Sequence, residues 1–106
     1  MTFVPLTLVI KASESKNTNF AASVGYHYSV DTSGGNVTAT LPALSGLTNG
    51  DQIRFKLYNA TNDLILTPAS GTSDQIDGLG AGTSYTMSNP KSSLTLVKGA
   101  NDWEIV

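Results

Sequence analysis

Apolar and polar residues alternate along most of this chain with the two-residue period of half-buried strands. Tyr26, Tyr28 and Val30 share one face, and Val37, Ala39 and Leu41 share another. Asp31-Thr32-Ser33-Gly34-Gly35-Asn36 lies between them and supplies turn residues. The stretch 26–42 therefore reads as two strands joined by a hairpin turn. Residues 52–58 form the clearest strand, with Ile53, Phe55 and Leu57 inward and Gln52, Arg54, Lys56 and Tyr58 outward. A short apolar strand at 64–67 ends at Pro68. Further strands are expected at 85–87, 93–97 and 103–106, separated by the turns Asn89-Pro90-Lys91 and Gly99-Ala100-Asn101-Asp102.

Residues 2–10 alternate as well. Val4, Leu6, Leu8 and Ile10 share a face, and Phe3, Pro5, Thr7 and Val9 take the other. Pro5 lacks a ladder donor and belongs at an edge. With both faces apolar, the segment reads as an edge strand of its own domain or as an arm that adds to a neighbouring subunit. Residues 11–25 are small and polar and read as a loop or a short helical turn, pinned by Phe20 and Val24. Residues 43–51 read as a compact loop. A longer one at 69–83 has Ile76 and Leu79 as its large apolar anchors. No internal duplication is evident. About eight short strands between turns predict an all-β fold, a small antiparallel β-sandwich or jelly-roll-like barrel. The expected division is an N-terminal strand or arm with a polar loop over 1–25 and the β domain over 26–106.

Composition narrows the function. The 106 residues include no cysteine, so neither a disulfide nor a thiolate metal site is available. Only 13% are charged, about half the usual share. The six basic residues, Lys11, Lys16, Arg54, Lys56, Lys91 and Lys98, are scattered in a chain of net charge −2. Nucleic-acid binding thus has no electrostatic footprint. No apolar run reaches the ~18 residues of a membrane span. Residues 1–10 lack the basic start and cleavage site of a signal peptide. Without that signal, the glycosylation sequons at Asn36 and Asn59 are read as chance.

Candidate chemistry is sparse. His27 is the only histidine, and no motif suggests a nucleophile, a phosphate loop or a zinc cluster. Asp74 and Asp77 beside Gly78 are the best calcium candidates. Calcium asks for six to eight oxygens, so two acids are read as turn residues instead. No catalytic residue, cofactor or metal is expected. Among the aromatics, Tyr26, Tyr28 and Trp103 read as core, while Tyr58 and Tyr85 border loops and read as surface residues.

The order of short motifs resembles a recurring β module of tailed-bacteriophage virion proteins. The matching stretches are Tyr28 to Asp31, Thr32 to Gly35, Val37 to Pro42 and Gly50 to Phe55. They continue with Leu64 to Pro68, Ile76 to Gly78, Leu94 to Val97 and Asn101 to Ile105. The resemblance covers about residues 26–106 and implies a small β-sandwich on a phage particle, often a trimer. Because little more than that module is present, the expected role is a capsid decoration or cement protein. It would be made in the host cytoplasm and bind the major capsid protein on the shell surface. Expected contacts are Phe3, Val4, Leu6 and Leu8 in the N-terminal strand, Leu44, Leu47, Ile76 and Leu79 in the loops, and Tyr58 and Tyr85. A receptor- or carbohydrate-binding module of a tail fibre or spike is the alternative. Neither reading involves nucleic acid or a membrane.

Overall fold

The computed structural model describes residues 10–59 and 61–106. The described residues are all-β, with nine strands and no helix. They are β1 Ala12–Lys16, β2 Phe20–Ala21, β3 Tyr26–Asp31, β4 Val37–Thr40, β5 Gln52–Asn59, β6 Leu64–Thr67, β7 Tyr85–Met87, β8 Ser93–Lys98 and β9 Trp103–Ile105. One sheet has the order β1-β3-β5-β8-β9 and the other β2-β4-β6-β7. The expected strand of residues 2–10 lies outside the described residues except for Ile10.

The expected hairpin at 26–42 does not form. β3 pairs in parallel with β1 and β5, while β4 pairs in parallel with β2 and β6. The turn between β3 and β4 is therefore an arch that carries the chain from one sheet to the other. Its backbone bonds go to the neighbouring rung: the Thr32 N–H donates to the Asn59 carbonyl at 2.9 Å, and the Val37 N–H to the Asp63 carbonyl at 3.0 Å. An arch and a hairpin leave the same alternation in sequence, because both turn one face of each strand toward the core. Three such arches stack, β1-β2, β3-β4 and β5-β6. Among the described residues, antiparallel pairings occur only in the C-terminal part, where β7 joins β6, β8 joins β5, and β9 joins β8. Both sheets are thus mixed and neither closes into a barrel; this corrects the expected antiparallel pairing and the barrel, while the all-β class holds.

Residues 11–25 also differ from the expected loop or helical turn, since they contain β1 and β2. β1 has no apolar alternation, and four of its five residues are exposed. It exists through its parallel ladder to β3, from Ala12 beside Tyr26 to Lys16 beside Val30. The stacked arches repeat without a repeating sequence because the register offset changes from rung to rung. Ala12 lies beside Tyr26, Phe20 beside Ala39, and Val37 beside Leu64. One polar element does recur. The Asn19 side-chain carbonyl accepts from the Thr38 N–H at 2.8 Å, and the Asn36 carbonyl accepts from the Asp63 N–H at 2.9 Å. Each asparagine directly precedes a strand of the four-stranded sheet and ties its arch to the next.

One core lies between the sheets. Tyr28, Val30, Ile53, Phe55, Leu57, Leu94 and Leu96 reach it from the five-stranded sheet, and Val37, Ala39, Leu64, Leu66 and Met87 from the other. In-register stacking brings the Tyr28 and Phe55 rings to 5.8 Å, and Phe20 packs on Tyr28 at 4.7 Å. Phe20 and Val24 both pack against this core. The Tyr28 hydroxyl accepts from the Ser23 N–H at 2.8 Å, which satisfies the ring's polar end. Tyr28 and Trp103 are buried, as their faces predicted.

Candidate interaction surfaces

The residues singled out from sequence separate into two ends of the molecule. At the end where β5 begins, the loops 43–51 and 69–83 are fastened to each other and to β9. The Leu44 N–H donates to Asp74 Oδ2 at 2.8 Å. The Asp77 N–H donates to the Trp103 carbonyl, and the Trp103 N–H to the Gln75 carbonyl at 2.9 Å. Ile76 forms an isolated parallel bridge with Trp103. This segment covers the outer edge of β9, a means of blunting an exposed strand edge.

Those contacts decide what the loops display. Leu44 and Ile76 are buried in the protein's own core, and Leu47 packs against it. Leu79 is left 50% exposed. The two acids serve backbone donors, since Asp77 Oδ1 also faces the Ile105 N–H at 3.4 Å. Asp77 has a φ of 50°, in the left-handed region that aspartate tolerates better than most residues. Replacing Asp74 with alanine leaves the Leu44 N–H without its acceptor, and a loss of about 1–2 kcal/mol is expected in urea unfolding. Asp74→Asn keeps an acceptor oxygen and should recover most of it. Equal losses in both variants would mean that this bond does not fasten the loops.

The opposite end carries the arches. Here Tyr58 is 55% exposed on β5. Tyr85 lies farther from this end, beside Leu66, and packs against the core. The turn 89–92 docks onto β5 through the Lys91 N–H to the Leu57 carbonyl and the Leu57 N–H to the Ser92 carbonyl, both at 2.9 Å. This docking places Lys91 Nζ 4.2 Å from the centroid of the Tyr58 ring. Beside it, Asp31 Oδ1 accepts from the Ser33 N–H at 2.8 Å. That backbone donor first, and the Ser33 hydroxyl second, hold the Asp31 carboxyl below its ordinary value of 3.8. A group lowered in the folded state stabilises fully above its unfolded value and loses that effect as pH falls through the folded one. A carboxyl titration followed by NMR should place the Asp31 midpoint below 3.8. A midpoint at or above that value would mean the turn is not closed in solution.

A third surface is the outer edge of β1. Among the described residues, β1 pairs only with β3 and β2 only with β4. Glu14 and Lys16 form an ion pair of 3.0 Å along β1, the only one among the described residues. Phe3, Val4, Leu6 and Leu8 lie outside the described residues. His27 sits on the outer face of its sheet, between Ser13 and Arg54 in register. Sequence reasoning missed Lys91, because its approach to Tyr58 depends on how the 89–92 turn docks.

No group of three or more His, Cys, Asp or Glu that could hold a metal occurs among the described residues. No helix among them is long and apolar enough to cross a membrane. No protein-family model matches the chain, and no curated protein matches it either.

Proposed function

We propose that this chain is a non-enzymatic structural protein of a tailed-bacteriophage particle, a decoration or cement protein that binds the assembled shell. The observation that carries the reading is the outer edge of β1, open among the described residues. It follows directly on the alternating apolar segment 2–10. An open edge accepts a further strand through main-chain hydrogen bonds, the general mode of strand addition. In this reading the two sheets act as a sandwich-like body. The segment 1–10 and the edge of β1 link it to neighbouring copies, as a trimer, and to the major capsid protein. Contacts that are individually weak become strong when repeated around a symmetric shell. The motif resemblance over 26–106 and the low charge of the chain support the same reading.

Cosedimentation of the purified protein with stripped, expanded capsids tests it, with host cells as the parallel target. Saturable binding to shells at a fixed ratio to capsid protein, with none to cells, is expected. Binding to cells and not to shells would overturn it in favour of a receptor- or carbohydrate-binding fibre module. The exposed Tyr58 ring is the observation that favours this second reading.

A further inference from the structure

We propose that the groove beside Tyr58, at the arch end of the five-stranded sheet, is a carbohydrate site that takes a neutral pyranose. The groove encloses about 340 Å³ and is lined, among the described residues, by Ser15, Lys16, Asn17, Ser29, Asp31 and Tyr58. That volume is at the small end of ligand sites, enough for a sugar unit but not for a large cofactor. The assignment does not rest on the shell reading, since the site would serve a particle wherever the chain is carried.

The placement of Tyr58 is the first argument. Along the β3–β5 ladder, Val30 lies beside Leu57 but Asp31 lies beside Asn59. Tyr58 stands at this shift in register, directly after the inward Leu57, and the alternation of β5 turns it to the outer face. A large aromatic is left 55% exposed there, where burial gives it no reason to be. Lys91 Nζ lies over the ring, 4.2 Å from its centroid, and steadies it beside the groove.

The polar wall is the second argument. A pyranose presents a patch of C–H groups and a rim of hydroxyls, and an aromatic ring with acceptors and donors beside it matches both. Ser15 and Ser29 are register neighbours on β1 and β3, so their hydroxyls stand side by side. The Asn17 amide and the Asp31 carboxylate complete the rim. Asp31 uses Oδ1 on the Ser33 N–H and has lone pairs left for sugar hydroxyls. Charge selects the class of sugar. Lys16, paired with Glu14 at 3.0 Å, and Lys91, over the Tyr58 ring, balance Glu14 and Asp31, so the groove carries no net charge to recruit an ionised ligand. A neutral sugar fits that balance.

The test is an NMR titration of the full ¹⁵N-labelled chain with methyl glycosides of glucose, galactose, mannose and N-acetylglucosamine. Each is taken to about 20 mM, ~20 times a millimolar Kd. At least one should give saturable amide shifts centred on Asn17, Ser29, Asp31 and Tyr58. Tyr58→Ala should weaken that binding roughly 10-fold or more. Asp31→Asn should weaken it as well, and Thr86→Ala, on the other sheet, should not. All three substitutions are at accessible positions, and the amide spectrum itself reports whether each variant folds. Absence of saturable shifts with every glycoside, shifts centred elsewhere, or unchanged affinity in Tyr58→Ala would overturn the assignment.

Discussion

Replacing Trp103 with alanine is expected to destabilise the protein by about 3–5 kcal/mol. Trp103 is the largest side chain that is fully buried, at 0% exposure. A domain of this size has about 5–15 kcal/mol in total, so the loss removes a large share of it. The effect has two parts. The cavity left by the indole costs transfer free energy and contacts that the surroundings cannot fully recover. In addition, Trp103 fastens β9 to the Gln75–Asp77 segment through its own N–H and carbonyl. Those backbone bonds survive the substitution in principle, but they lose the packing that holds the strand in place. The indole Nε1 donates to no protein group among the described residues. Trp103→Phe keeps an aromatic ring in the core and breaks no protein hydrogen bond of the side chain, so it should cost clearly less than alanine. Urea unfolding followed by far-UV circular dichroism measures both. A loss below about 1 kcal/mol for Trp103→Ala would mean that the indole is not in a packed core.

Thr32→Val is the second substitution of large effect, with an expected cost of about 1–3 kcal/mol. Thr32 is completely buried at the start of the β3–β4 arch. Its Oγ1 is 2.8 Å from the Asn59 carbonyl and 2.7 Å from the Asn62 carbonyl, and it accepts from the Asn62 N–H at 3.1 Å. A hydroxyl has one proton, so it donates to one of these carbonyls at a time. The Asn62 side-chain amide returns a bond to the Thr32 carbonyl at 2.7 Å. Valine keeps the shape and the β-branching and removes only the hydroxyl. The Asn59 carbonyl keeps the Thr32 N–H as a donor, whereas the Asn62 N–H loses its acceptor. Thr32→Ser retains the hydroxyl and should be the milder change. If serine is the more damaging variant, the methyl group and not the network holds the arches together.

Much of the core was legible because alternation is a property of a single strand. Ile53, Phe55 and Leu57 are all fully buried, as the pattern of residues 52–58 predicts. Leu94, Leu96 and Trp103 follow the same rule. β1 was not legible because none of its side chains enters the core and its place is set by main-chain pairing with β3. The hairpin expectation failed for a related reason. The residues Asp31 to Asn36 specify that the chain turns, but not whether the next strand hydrogen-bonds to the last or faces it across a core. Of the surface residues, Tyr58 could be placed from its position on β5 beside a turn. Leu44 and Ile76 could not, because an apolar residue in a loop is equally consistent with a contact surface and with an anchor into the protein's own interior.

The sequence by itself determined the all-β class, the inward face of nearly every strand and the scarcity of ionisable groups. These follow from side-chain type and from a period of two, which are local properties of the chain. Only the tertiary structure decided which strands are neighbours, that three arches stack in parallel, and that Tyr58 lies beside Asp31 and Ser29. Those outcomes depend on main-chain hydrogen bonds between residues far apart in sequence. The main chain is nearly identical in every residue, and so its pairing leaves little trace in the side-chain pattern.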